Sequence, residues 1–187
     1  MNCNGRTIAP KTPSKAVKES IALVPKERRK EGILVNDAIY SNITLSSLHK
    51  FINKIKFISK PKQRIVAKEI VEDLGIKTPS DTQKVALLSG GNQQKVAVGK
   101  WLVSDSEIYI FDEPTKGVDV GAKRDIFQLI EKLAEQGKGI IYASCEFSEI
   151  LSIADRAYVM FDGQIAKEFN IKDTNENELL YYSTGGR

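Results

Sequence analysis

Between residues 107 and 161 the chain repeats a single alternation. Ile108-Tyr109-Ile110-Phe111 is an apolar run of strand length. Ala122 to Glu135 then places Ile126, Phe127, Ile130, Leu133 and Ala134 on one helical stripe, and Gly137 stops it. Ile140-Ile141-Tyr142-Ala143 is the next apolar run, Glu146 to Ile153 a short helix, and Ala157 to Phe161 a further strand. Strand, helix, strand, helix, strand predicts parallel pairing through helical crossovers, hence an α/β fold with a mainly parallel sheet. The runs at 107–111 and 140–143 are nearly all apolar, as central strands covered on both faces require.

The rest of the chain breaks this rhythm. Residues 1–19 are polar, with Ser14 placed to cap a short helix. Ile21-Ala22-Leu23-Val24 predicts a buried strand halted by Pro25. Residues 33–60 follow no clean period; Ile52, Ile55, Phe57 and Ile58 suggest an irregular apolar surface. Residues 62–74 are helical in spacing, with Gly75 as the stop. Residues 33–88 therefore predict a mainly helical lobe inserted between sheet strands. A second helix is expected from about Asn92 to Leu102, burying Val96, Ala97 and Trp101. Asp162-Gly163 is a hairpin turn signal, and Leu179 to Tyr182 belong to a last helix.

Composition excludes several classes. The formal charge is +4, and the lysine-rich stretches, including Lys54, Lys56, Lys60, Lys62 and Arg64, read as a solvated face. There is no zinc-finger spacing and no aromatic-laced basic strand, so no nucleic-acid partner is expected. His49 is the one histidine, which rules out a multi-histidine metal site. Cys3 and Cys145 form no framework, the default being a reduced compartment with Cys145 buried and inert. No apolar run has the length of a membrane span.

Three segments carry chemistry. Asp112 and Glu113 end a strand where open α/β sheets bind ligands, and neighbouring positions on a strand point to opposite sides. In a phosphate site Asp112 would hold Mg2+ and Glu113 would orient the attacking water; the alternative is a plain strand exit before Pro114. Ser89-Gly90-Gly91-Asn92-Gln93 opens a helix. Its glycines admit close backbone approach, its amide end is positive, and Ser89 adds a hydroxyl; the alternative is an ordinary glycine-rich cap. Asp119 suits either an N-cap or an interface position. No Gly-x-x-x-x-Gly-Lys-Ser/Thr run occurs in the 187 residues.

In this order and spacing the segments resemble the ATP-binding cassette family of membrane transporters. Leu88 to Gln94 is similar to the family signature, Ile108 to Glu113 to its second nucleotide motif, and Asp119 to the loop that crosses the cassette dimer. The closer resemblance is to the second cassette of sugar importers of the ribose, galactose and xylose type. Val24 to Gly32, Leu88 to Lys95 and Asp112 to Gly121 carry it. It implies a partial P-loop nucleotide hydrolase fold over residues 1–187, with 33–88 as the signature lobe. It also implies early strands and a phosphate loop upstream. Two departures stand out. Lys26 occupies a place where that branch commonly has an acid, and Cys145 aligns with the family's switch histidine.

The resemblance implies ATP and Mg2+ as ligands, Glu113 and Asp119 as catalytic residues, and Ser89, Gly90, Gly91, Asn92, Gln93 and Asp112 as nucleotide contacts, with Asp112 on the metal. Its partners would be a second cassette and a transmembrane sugar permease, at the cytoplasmic face of the membrane. Two functions stay open: an ATP-hydrolysing component of a sugar importer, or a truncated, inactive cassette that binds or supports a partner. Without the phosphate loop, weak or absent ATP binding is expected of the chain by itself. Exposed sheet edge or apolar surface, favouring self-association, is expected too.

Overall fold

The computed structural model describes residues 2–3 and 5–186. A short antiparallel pair comes first, β1 (Asn2–Cys3) and β2 (Arg6–Thr7). Helix α1 (Pro13–Lys18) follows, and its cap is Thr12, not Ser14: the Thr12 hydroxyl accepts from the Lys15 amide at 3.3 Å. Proline at the first helical position needs no amide partner, which places the cap at the residue before it, two positions upstream of Ser14.

The sheet that positions the site contains β3 (Ile21–Val24), β4 (Ile108–Asp112) and β5 (Gly139–Ala143), in that spatial order. β3 and β4 run parallel, with Ile21 opposite Ile108 and Val24 opposite Phe111. Alternation then assigns the faces. Ala22, Val24, Tyr109 and Phe111 share one face, and all are buried. The opposite face is only partly covered: Leu23 is 47% exposed beside half-buried Ile110. A Cβ built on Gly139 would lie 3.6 Å from Ile108, so by alternation Ile141, 43% exposed, belongs to this face. The expectation that 140–143 is a central strand is thus corrected. β4 is central among these three, and β5 lies at the end of the order with alternate residues open.

Between β3 and β4 the chain is mostly helical. A π-helical turn (Arg28–Gly32) leads to α2 (Ile39–Thr44), a 3-10 stretch (Leu45–Phe51), α3 (Lys60–Asp73), a short 3-10 turn (Val85–Leu87) and α4 (Gly90–Leu102). Their shared core joins Ile39 and Ile43 of α2, Ala67 of α3 and Val96 and Ala97 of α4 with Ile33, Ile76, Val85 and Leu88. Some of the buried polar groups around it are bonded, while Ser47 Oγ and Gln94 Nε2 are buried with no hydrogen-bond partner. Asn42 takes the Leu34 amide at 2.7 Å and donates to the Leu34 and Ala38 carbonyls. Gln63 donates to Thr44 Oγ1 at 2.7 Å. Such satisfied groups fix one packing arrangement, because any other leaves a buried dipole unpaired. Lys100 is buried on α4 and donates to the Gly32 carbonyl at 2.6 Å, and burial pulls its ammonium pKa down. That bond fastens the 28–32 turn to α4. The irregular period of 33–60 reflects this geometry: short helical pieces and turns, not one long amphipathic element.

α5 (Val120–Glu135) carries Ile126, Ile130 and Leu133 inward, while Phe127 is half-buried and Ala134, expected on the same stripe, is exposed. The chain divides into two compact units between Ile141 and Tyr142. In the second, α6 (Phe147–Ile153) precedes an antiparallel hairpin of β6 (Arg156–Phe161) and β7 (Gln164–Asn170), and α7 (Glu176–Ser183) ends it. Asp162 and Gly163 both have positive φ, the conformation this two-residue turn needs. Val159, Phe169 and Leu179 form this unit's core.

Candidate functional site

The parallel register builds the first half of the site. Val24 lies opposite Phe111, so two residues further the chain brings Lys26 level with Glu113. Lys26 Nζ meets Glu113 Oε1 at 2.8 Å, with the side chains 37% and 16% exposed. Lys116 Nζ stands 3.8 Å from Glu113 Oε2. The carboxylate nominated to orient water therefore faces two ammonium groups of its own chain. Glu113 also has a φ of 41°, a left-handed conformation that non-glycine residues hold only where their surroundings enforce it. Asp112 is half-buried at the carboxyl end of β4.

Arg28 clamps the loop that follows. Its Nη1 donates to the Lys116 carbonyl at 2.9 Å and its Nη2 to the Gly117 carbonyl at 3.2 Å. Burial, with Arg29 nearby, pulls its pKa below the usual guanidinium value, and its Nε is buried with no hydrogen-bond partner. The sequence reading missed both Arg28 and the Lys26–Glu113 pair. The β3–β4 register was the signal that leads to the pair.

The second half of the site is the amino end of α4. Ser89 caps it, accepting from the Asn92 amide at 3.4 Å and from Asn92 Nδ2 at 2.9 Å. Asn92 Oδ1 accepts in turn from the Lys77 amide at 2.9 Å. Gln93 points inward and donates to the Val85 and Leu88 carbonyls, both at 3.2 Å, so its carboxamide shapes the loop before the helix. Close approach requires a glycine at Gly91, whereas at Gly90 the nearest group is the movable end of Arg28. A Cβ on Gly90 would meet Arg28 Nη2 at 2.9 Å, and one on Gly91 would meet the Ala122 Cβ at 2.5 Å and Asp119 Oδ2 at 3.3 Å. The Arg28 guanidinium and the positive helix end thus stand together, with the Ser89 side of the turn exposed.

Asp119 caps α5, accepting the Ala122 amide on Oδ1 at 2.9 Å. That amide bond, foremost, holds its carboxyl below the usual carboxylate range. Asp112, Glu113, the Ser89 turn and Asp119 all lie in the first unit, with Gly91 beside Asp119. Ser144-Cys145-Glu146 belongs to the second unit. There Ser144 Oγ and Tyr142 Oη both donate to Glu149 Oε2 at 2.7 Å. Cys145 is exposed, which corrects the expectation of a buried thiol. It follows the end of β5, where alternate positions are open.

The donor set fits a protein-held magnesium ion poorly. Glu113 is occupied by Lys26, and among the described residues no group of three or more acidic, imidazole or thiol side chains is placed to hold a metal. No helix of the described residues is long and apolar enough to cross a membrane.

A family model described as ABC transporter matches residues 1–116. A protein named putative ribose/galactose/methyl galactoside import ATP-binding protein 1, from Agrobacterium fabrum, is 41% identical over 97% of this chain and 36% of its own length. The xylose import ATP-binding protein XylG of Thermoanaerobacter pseudethanolicus is also 41% identical, over 98% of this chain and 36% of its own. The ribose import ATP-binding protein RbsA of Hahella chejuensis is 39% identical over 100% and 37%. The chain thus spans little more than a third of these relatives. Among solved structures, a nucleotide-free ATP-binding cassette of an ABC transporter superimposes with a TM-score of 0.75 at 23% identity, covering 98% of this chain and 72% of that one. The cassette MJ0796 bound to ADP and Pi gives 0.73 at 20% identity, covering 91% and 72%. These likenesses establish the α/β cassette fold; with the family match and the relatives, the chain belongs to the ABC transporter family and is similar to its ribose, galactose and xylose import ATP-binding proteins.

Proposed function

We propose that this chain serves as a partner cassette: it presents a signature surface to nucleotide held on another polypeptide segment and does not hydrolyse ATP at its own strand end. The observation that carries the proposal is the 2.8 Å Lys26–Glu113 ion pair, which occupies the carboxylate that hydrolysis would need. The signature surface would be the Ser89 hydroxyl and the first amides of α4, strengthened by Arg28. Asn92 and Gln93 would hold its shape, and Asp119 would stand at the interface. Residues 33–88 would be the lobe that carries this surface. A second cassette and a sugar permease at the cytoplasmic face of the membrane are the partners this reading requires. These partners follow from membership of the family, and the sugar from relatives named for ribose, galactose and xylose import.

Calorimetry of the chain with ATP and magnesium tests the proposal. No saturable heat in the micromolar range is expected. A micromolar dissociation constant, or ATP turnover by the chain alone that Glu113→Gln abolishes, would overturn it.

A further inference from the structure

The most uneven charge in the molecule lies away from the nucleotide-facing residues. From Ala38 to Lys68 the chain has seven of its 28 basic residues and none of its 24 acidic ones; without this stretch the acidic residues are in excess. Its middle is a built loop. Ile52 and Ile58 form an isolated antiparallel bridge. The Asn53 amide donates to the Phe57 carbonyl at 2.8 Å, Lys56 N to the Asn53 carbonyl at 3.0 Å, and Ser59 N to the Phe51 carbonyl at 2.9 Å. Asn53 Oδ1 takes the Ile55 and Phe57 amides at 3.0 and 2.9 Å.

This well-bonded backbone holds large apolar side chains outward. Ile55 is 72% and Phe57 70% exposed, while Ile52 and Ile58 are also open. Lys54, Lys56 and Lys60 alternate with them, all exposed. Exposed aliphatic and aromatic side chains interleaved with lysines match an interfacial layer: the apolar tips enter the acyl boundary while the ammonium groups reach lipid phosphates. Backbone amides already bonded within the loop lower the cost of leaving water. A nucleic-acid surface would reward the lysines but not an exposed Ile55.

We propose that the 51–59 loop is a direct contact site for an anionic phospholipid surface. It is independent of the nucleotide reading above and needs no permease. The test is flotation of the full chain with phosphatidylcholine vesicles, with and without phosphatidylglycerol. Binding is expected only with the anionic lipid and should weaken as salt rises. Lys54→Gln, Lys56→Gln and Lys60→Gln together should weaken it about a hundredfold, near fivefold for each charge. Ile55→Ser with Phe57→Ser should weaken it at least about tenfold at unchanged charge. In a Phe57→Trp variant, brominated lipid should quench the new emission. Equal binding to neutral vesicles, or binding indifferent to the Ile55/Phe57 pair, would overturn the proposal. So would competition by polyglutamate beyond that of chloride at equal ionic strength, which would make the loop a protein-docking element.

Discussion

The carboxyl end of β4 and the amino end of α4 carry the chain's two richest motifs, and they are electrostatic opposites in their commitments. At β4, Glu113 is closed off by Lys26 at 2.8 Å and faced by Lys116 at 3.8 Å. At α4, Arg28 adds positive charge beside the helix end while bonded to the Lys116 and Gly117 carbonyls, and the Asp119 carboxylate lies on the Gly91 side of the same turn. The same loop, 25–32, supplies both cations. A lysine two residues before an arginine thus neutralises one motif and reinforces the other. A motif's residue types do not disclose its state of charge; the partners brought by long-range pairing do.

The sharpest way to break this contrast is to combine the chain with a phosphate-loop-bearing cassette of a ribose-import protein and follow ATP turnover. Ser89→Arg should lower it about a hundredfold, the scale of losing a preorganised anion contact. Glu113→Gln should leave it nearly unchanged, and the reverse order of effects would sink the assignment. Gly91→Val comes next. Even its Cβ meets Ala122 at 2.5 Å, so α4 must move off the 119–122 turn. A loss of about 1–3 kcal/mol is expected from denaturant unfolding.

A change at the closed motif should be milder. Lys26→Glu replaces the ammonium with a third carboxylate beside Asp112 and Glu113. Manganese affinity, read by electron paramagnetic resonance, should rise about tenfold, the order of one moderate charge interaction. No rise would show that Lys26 is not what excludes a cation. The smallest effect concerns acid. The Asp119 carboxyl is lowered in the folded state, so its contribution is present above the usual carboxylate range and lost as pH falls through the lowered value. Asp119→Ser keeps a cap but not the titration. Its thermal unfolding midpoint should fall less between neutral and acid pH than that of the parent chain.

Much of the architecture was legible because it is local. The strands at 21–24 and 108–112, the α5 stripe and the Asp162-Gly163 turn each follow from spacing within a few residues. Asp119 was visible as a capping candidate for the same reason. The Lys26–Glu113 bond was not, since it depends on which strands pair and in which register across 87 residues. Nor was the openness of β5. An apolar run states that burial is favourable, not whether a neighbour is present to provide it. Gln93 shows the converse: beside two glycines it read as a ligand contact, yet its amide secures the preceding turn.

The parallel pairing of β3 with β4 also sets an order in time. The core of α2, α3 and α4 draws on residues 33–103, whereas Ile21 must find Ile108. Closing so long a loop is entropically slow unless an intervening structure shortens it. The helical lobe is that structure, and it should acquire amide protection first in pulsed hydrogen exchange. The strands would then zip, and the Lys26–Glu113 ion pair would be among the last contacts to form.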